Sequence, residues 1–81
     1  MTVTILFFAQ ARDRVKRASQ TIDVPAGSRV ADVVAHLKRE HPELEPLWPH
    51  LAIALDGKLV TPDATISDRA ELALLPPVSG G

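Results

Sequence analysis

The segment that decides the fold reads SRVADVVAHLKREH and spans residues 28–41. Its apolar side chains recur at positions i, i+3, i+4 and i+7, the spacing of one face of an α-helix. These residues are Val30, Val33, Val34 and Leu37. Ser28 stands where an N-cap is expected, and Pro42 follows a last turn that is rich in basic residues. We therefore predict a helix from Ser28 to His41 that packs on a sheet through its four apolar residues.

Strand patterns lie on both sides of this helix. Residues 2–8 place Val3, Ile5 and Phe7 on one face, and the other face is also apolar in its second half, which predicts a central strand. Further strands are predicted at residues 20–24, 51–55, 58–60 and 71–75, with Asp56-Gly57 as a hairpin turn. Residues 9–18 can form a helical turn or a loop. This order of elements predicts an α+β fold, the ubiquitin-like β-grasp, with one main helix on one face of a mixed sheet.

The composition excludes several classes of protein. A chain of 81 residues suits one domain, and nine basic against ten acidic residues argue against a protein whose main task is to bind nucleic acid. The absence of cysteine excludes a disulfide framework, a thiolate zinc site and a cysteine nucleophile. No apolar run approaches the roughly 20 residues of a membrane span, and no secretory signal is evident. We expect a cytoplasmic protein without a membrane or nucleic-acid partner.

Candidates for catalysis and metal binding are few. His36 and His41 are five residues apart, which on a helix separates them by about 140°, so they are not expected to share a metal-ligand face. The motifs of phosphate-binding loops and of hydrolase nucleophiles do not occur. We expect no metal, no bound cofactor and no autonomous active site. The basic residues at 12–17 favour a solvated face, with recruitment of an acidic partner surface as the alternative.

The end of the chain, PPVSGG at residues 76–81, combines three useful properties. Two prolines favour a stiff, extended chain, and six residues reach roughly 20 Å. The two glycines have no Cβ and can enter a narrow channel, while a terminal carboxylate with a pKa of about 3.5 is ionised at pH 7. We predict a domain at residues 1–75 and an extended tail at 76–81 that serves as a substrate arm for another protein's active site. A disordered chain end or a tag remnant is the alternative.

This tail, together with ILFFAQAR at residues 5–12, resembles the molybdopterin synthase small subunit. That family comprises ubiquitin-like sulfur carriers used in molybdenum cofactor synthesis. The resemblance covers nearly the whole chain and depends on Pro-Pro-Val-Ser-Gly-Gly together with Leu-Phe-Phe-Ala, since Gly-Gly alone is common among ubiquitin-like proteins. Many relatives carry Asp-Gly-Asp-Glu before the last strand, where this chain has residues 67–71 without glycine, which suggests a different turn.

The resemblance implies a reaction cycle at Gly81. An E1-like activating enzyme consumes ATP to adenylate the Gly81 carboxylate, and a sulfurtransferase supplies the sulfur that displaces AMP and leaves a thiocarboxylate. The tail then enters the large subunit of molybdopterin synthase, where sulfur passes to a pyranopterin precursor. Two such deliveries build the dithiolene. The resemblance also implies a heterotetramer of large and small subunits.

Gly81 is thus the predicted reacting residue. The predicted tail and docking residues are Phe7, Leu74, Leu75, Pro76, Pro77, Val78, Ser79 and Gly80. Of these, Phe7, Leu74, Leu75 and Pro76 are expected to be half-exposed at the base of the tail, with ordinary core packing as the alternative. Three other functions stay open: a sulfur carrier for thiamin or another sulfur-relay pathway, a ubiquitin-like protein modifier, and a plain interaction module.

Overall fold

The computed structural model of the chain describes residues 1–76. In chain order the elements are β1 (Thr2–Phe7), α1 (Ala9–Val15), β2 (Ser19–Asp23), α2 (Val30–Glu40), a 3-10 helix (Pro42–His50), β3 (Ala52–Leu55), β4 (Lys58–Leu59) and β5 (Ala70–Leu75). The strands form one sheet in the order β2-β1-β5-β3-β4. β1 and β5 are parallel and the other neighbours are antiparallel. The predicted α+β β-grasp with a mixed sheet is confirmed.

The core lies between α2 and one face of the sheet. Val30, Val33 and Leu37 of α2 are fully buried. On the sheet side they face the inward residues of β1 and β5, which are Val3, Ile5, Phe7, Ala70, Leu72 and Leu74. Burial of each large apolar side chain stabilises the fold by about 1.5–3 kcal/mol. Val34 is only partly buried, because it lies at the margin of the apolar stripe.

The start of α2 differs from the prediction, because Ser28 is not the N-cap. The N-cap is Arg29, whose N–H donates to the Asp32 carboxylate at 2.8 Å. The Ser28 hydroxyl instead donates to the Pro25 carbonyl at 2.7 Å and closes the turn after β2. The first N–H groups of α2 have other acceptors, since Val30 donates to the Ala64 carbonyl at 2.9 Å and Ala31 donates to the Pro62 carbonyl at 3.0 Å. A hydroxyl cap is therefore unnecessary at this helix.

The end of α2 also corrects the analysis of the histidines. His41 is the C-cap and has left the helix, so the 140° separation does not apply to it. His36 and His41 both contact the Glu40 carboxylate, with Nε2–Oε distances of 3.1 and 3.3 Å. A hydrogen bond from Gln20, followed by the two histidines, holds the pKa of Glu40 below its ordinary value against the effect of desolvation. Within residues 1–76, no three metal-ligating side chains are grouped as a metal site requires.

Four remaining segments have defined conformations. Residues 9–18, for which we expect a helical turn or a loop, contain a true helix, α1. The connector after α2 is a 3-10 helix that buries Leu44 and Leu47. The Asp56-Gly57 hairpin is confirmed, with φ angles of 49° and 84°. Arg69, in the turn before β5, has a φ of 65°, so this turn has a left-handed residue without using glycine.

No helix within residues 1–76 has the length and apolar character needed to cross a membrane.

Candidate functional site at the base of the tail

The tail leaves the domain from a central strand. β5 lies between β1 and β3, and its last residue, Leu75, is followed by Pro76. Because β1 and β5 are parallel, with Phe7 beside Leu74, the carboxyl ends of both strands lie at the same edge of the sheet. The other predicted tail residues lie outside the described part of the chain; they are Pro77, Val78, Ser79, Gly80 and Gly81.

The prediction that Phe7 and Leu74 are half-exposed is wrong. Phe7 is 1% exposed and Leu74 is 0% exposed, and both belong to the core. The reason is the two-residue period of the strands, which turns both side chains toward α2. Leu75 is half-buried and Pro76 is exposed. These two therefore remain candidates for direct contact with a partner, whereas Phe7 and Leu74 support the base of the tail from inside.

Two exposed apolar residues were missed as candidates. Phe8 is 43% exposed directly after β1, and Leu59 is 72% exposed on β4. The signal for Phe8 was present in the sequence, because strict alternation in residues 2–8 places it on the face opposite Phe7. For Leu59 the signal was weaker, since β4 has only two residues and its face depends on the register of the hairpin.

The strand register gathers apolar side chains on the side of the sheet that faces away from α2. Leu6 lies beside Ala73, Ala73 beside Ala54, and Ala54 beside Leu59. Leu75 lies beside Ala52 at the end of the same face. We call this set the outer-face patch, and its members are Leu6, Ala52, Ala54, Leu59, Ala73 and Leu75. Leu59 is exposed and Ala54 is buried beneath its neighbours, while the other four are half-buried. Contiguous apolar surface of this kind in a small domain is typical of a protein-binding site.

A small pocket lies next to the outer-face patch at the base of the tail. Its volume is about 300 Å³, and its lining includes Phe8, Ala9, Leu47, His50, Leu51 and Pro76. We call it the tail-base pocket. His50 is the one ionisable side chain of residues 1–76 that lines it. The walls are mostly apolar, so the pocket can receive an apolar side chain from a partner but offers no paired acid and base for catalysis.

Positive charge is concentrated beside the tail-base pocket. Four of the nine basic residues of the chain lie at positions 12–17, on and just after α1, and all four are exposed. The Arg14 guanidinium approaches the Glu43 carbonyl at 3.5 Å. The rest of the chain carries most of the acidic residues, so the charge near the pocket is opposite in sign to the net charge of −1.

Comparison with known proteins identifies the family of this chain. The profile of the ThiS family matches residues 5–81. The chain belongs to the ThiS family. It is 33% identical over 79 residues to the molybdopterin synthase sulfur carrier subunit of Arabidopsis thaliana, with 98% of this chain and 82% of the relative covered. The resemblance to sulfur carriers that the tail and the opening segment indicated is therefore confirmed.

Two solved structures place this ThiS-family chain among known folds. SAMP1 of Haloferax volcanii, a small archaeal modifier protein, has a TM-score of 0.87 and 27% identity, with 100% of both chains covered. A chain in the complex of subunits 1 and 2 of the molybdopterin-converting factor from Helicobacter pylori has a TM-score of 0.76 and 28% identity, again with 100% of both chains covered.

Proposed function

We propose that this ThiS-family chain is a sulfur carrier and the small subunit of a molybdopterin synthase. The observation that carries the proposal is the match over nearly the whole chain to a molybdopterin synthase sulfur carrier subunit. The geometry supports it, because partly exposed apolar residues lie on and beside the strand from which the PPVSGG tail leaves. A substrate arm that another protein must process needs a docking surface of this kind at its base.

The proposed chemistry takes place at the carboxyl group of Gly81. A carboxylate oxygen attacks the α-phosphorus of ATP in the activating enzyme, and pyrophosphate leaves. Hydrosulfide (HS⁻), released from its donor by a sulfurtransferase, then attacks the acyl carbon of the adenylate, and AMP departs as the leaving group while the sulfur loses its proton. The product is a thiocarboxylate on Gly81, which donates its sulfur to the pyranopterin precursor in the large subunit.

The domain contributes binding and orientation to this cycle. The outer-face patch and the tail-base pocket provide the contact with the large subunit and with the activating enzyme, so that the tail reaches each active site from a fixed starting point. Leu75 and Pro76 connect this surface directly to the tail. Phe7 and Leu74 act indirectly, because they hold β1 and β5 in the core.

The decisive experiment removes the reacting residue. Deletion of Gly81 shortens the arm by roughly 3.3–3.6 Å. Because a misplacement of even 1 Å can cost about 100-fold in a positioned reaction, we expect the truncated chain to lose ATP–pyrophosphate exchange with the cognate activating enzyme. Its thermal midpoint should equal that of the wild type. Normal exchange by the truncated chain would refute the proposal.

A matched measurement identifies the product. Incubation of the full chain with the activating enzyme, ATP and a sulfur donor should add about 16 Da to the intact mass, since one oxygen is replaced by sulfur. The large subunit should bind this form and return it to the original mass in the presence of the pyranopterin precursor. A carrier for another sulfur-relay pathway would gain the same mass without binding the large subunit.

The similarity to the archaeal modifier favours one second candidate, a ubiquitin-like protein modifier. In that function the Gly81 carboxyl group would form isopeptide bonds with lysine side chains of target proteins. Immunoblots of cells that express a tagged chain separate the two functions. Adducts of high mass that disappear on deletion of Gly81 indicate modification, and their absence together with a thiocarboxylate indicates sulfur transfer alone.

A further inference from the structure

The helix α2 covers the inner face of the sheet unevenly. On the β2 side, Ile22 lies beside Val3 and is only 6% exposed. On the other side, Ile53 of β3 lies beside the fully buried Leu74 but is itself half-buried. Because β3 and β4 extend the sheet beyond β5, this flank stays open, and a groove of about 650 Å³ lies between α2 and β3.

The walls of this α2–β3 groove are mostly apolar. Its half-buried lining includes Val34, Trp48 and Ile53. Ala31 and Ala35, about one turn apart on α2, are exposed at its edge, and their short side chains leave room for a neighbouring chain. A concave surface of this size that is lined by apolar side chains is suited to receive an apolar group.

The groove also contains donors that have no acceptor. Lys38 is the one ionisable side chain of residues 1–76 that lines it, and its Nζ lies 5.7 Å from the centroid of the Trp48 ring. The ion pairs within residues 1–76 all involve histidine, so no carboxylate of this part of the chain pairs with Lys38. The Trp48 indole N–H is buried and has no hydrogen-bond partner in the same residues. These charges and donors favour an occupant that brings a carboxylate beside an apolar group.

The α2–β3 groove is continuous with the surface proposed for docking. It shares Ala52 and Leu59 with the outer-face patch and Leu51 with the tail-base pocket. A stable complex buries about 800 Å² on each partner, whereas a transient encounter needs less. A permanent subunit therefore needs the added surface of the groove more than an enzyme that binds the carrier briefly, and this favours the large subunit as the occupant.

We propose that the α2–β3 groove receives a segment of the large subunit that combines an apolar side chain with a carboxylate. The apolar side chain packs between Trp48 and Ile53, and the carboxylate pairs with the Lys38 ammonium. This inference rests on the proposed function, which supplies the large subunit as the partner. Because a contact of this kind forms only in the docked complex, its loss speeds dissociation and leaves the association rate nearly unchanged.

The first experiment measures the Kd of the full chain for the cognate large subunit by titration calorimetry. Lys38→Met keeps an apolar stem beside Trp48 and removes the charge. We expect its Kd to rise about tenfold, the effect of losing one hydrogen bond to a charged group. Arg39→Met is the matched control, because it makes the same change at the adjacent exposed position outside the groove. An unchanged Kd in Lys38→Met, or an equal rise in Arg39→Met, overturns the inference.

A conservative variant tests the charge itself. Lys38→Arg keeps the positive charge and can stack on the Trp48 ring, so it should bind the large subunit like the wild type. If Lys38→Arg binds as weakly as Lys38→Met, the pairing with a carboxylate is wrong.

A variant that fills the groove tests the apolar contact. Ala31 is exposed, so Ala31→Gln should keep the thermal midpoint of the wild type while its longer side chain occupies the groove. We expect a higher Kd for the large subunit, and a double variant with Lys38→Met that is less than additive, because both changes act on one segment. Two results would assign the groove to another occupant and reject the proposal. One is a dimer of the free chain that Ala31→Gln dissociates, and the other is a raised KM in pyrophosphate exchange with an unchanged Kd for the large subunit.

Trp48 reports directly on the groove, because it is the only tryptophan of the chain. In a ¹⁵N-labelled chain its indole N–H gives a single resonance. We expect this resonance to move when unlabelled large subunit is added, and to move less in Ala31→Gln at saturation. A resonance that stays in place in the formed complex contradicts the inference and leaves the proposed function standing. If the wild type forms no complex with the large subunit, the proposed function itself is refuted.

Discussion

Asp68 shows how a single side chain links the start of β1 to the turn before β5. Its Oδ1 accepts a hydrogen bond from the Thr2 N–H at 2.8 Å, and the following residue, Arg69, donates its N–H to the Thr2 carbonyl at 2.7 Å. The hydrogen bond from Thr2 is the main cause that holds the pKa of Asp68 below its ordinary value, against the effect of desolvation. The N-terminal ammonium and the Arg69 guanidinium lower this pKa further.

The lowered pKa fixes the sign of a pH effect. Because the folded chain favours the ionised form of Asp68, its contribution to stability is present above the pKa of the unfolded chain and is lost as the pH falls through the folded-state value. We expect Asp68→Asn, which keeps an acceptor oxygen but removes the charge, to lower the thermal midpoint at pH 7. The difference from the wild type should shrink between about pH 5 and pH 2. Thermal melts followed by circular dichroism measure both.

A control for the charge is Asp13→Asn on α1, because the Asp13 carboxylate makes no hydrogen bond to any residue from 1 to 76. Its melting curve should follow that of the wild type at both ends of the pH range. A difference for Asp68→Asn that persists or grows at pH 2 would contradict the role given to the ionised carboxylate.

At the scale of the elements, the two faces of β5 lie in different environments. Leu74 is fully buried against the core, while Leu75 belongs to the outer-face patch and is half-buried. We expect Leu74→Ala to lower the free energy of unfolding by about 2–5 kcal/mol, a large part of the stability of so small a domain. Leu75→Asp should leave the fold intact and abolish co-purification with the large subunit. Leu59→Asp should behave like Leu75→Asp.

Circular dichroism and co-purification with the large subunit test this pair of neighbours. The two variants differ by one position in the chain and by one face of the strand, so each serves as the control for the other. Full binding by Leu75→Asp would show that the outer-face patch is not the docking surface. A stable Leu74→Ala domain would show that the core does not depend on the end of β5.

The elements could be predicted from the sequence because their patterns are local. The 3.6-residue period of α2, the alternation in β1 and the Asp-Gly turn each lie within a few residues of one another. The wrong details depend on contacts between distant segments. Ser28 is not the cap because the first N–H groups of α2 bond to carbonyls more than 30 residues away, at Pro62 and Ala64.

The docking residues could be predicted only in part for a related reason. Leu74 and Leu75 are identical in type, and the sequence does not state which of them faces α2; the parallel pairing of β5 with β1 decides it. The same pairing places Phe7 in the core and leaves Phe8 outside. The properties of the tail motif could be predicted without knowing any strand pairing. Proline by itself favours an extended chain, and glycine by itself lacks a Cβ.

At the scale of the whole molecule, charge is unevenly distributed around the tail. The chain carries a net charge of −1, yet the exposed segment 12–17 beside the tail-base pocket is strongly basic. A basic region next to a docking surface attracts a partner whose matching surface is acidic, and such charges mainly affect the association rate. The attraction acts over the Debye length, which is about 10 Å at 0.1 M salt and about 3 Å at 1 M.

We therefore expect Arg12→Glu to slow association with the large subunit several-fold at low salt and to have little effect near 1 M salt, while the dissociation rate stays close to that of the wild type. Arg39→Glu is the matched control, because it makes the same change of charge on the exposed surface of α2, outside the tail-base pocket. Stopped-flow association kinetics over a range of salt concentrations distinguish the two variants. An equal loss of rate in both would assign the effect to net charge rather than to the basic segment. A salt-independent loss in Arg12→Glu alone would indicate a direct contact in the complex instead of long-range attraction.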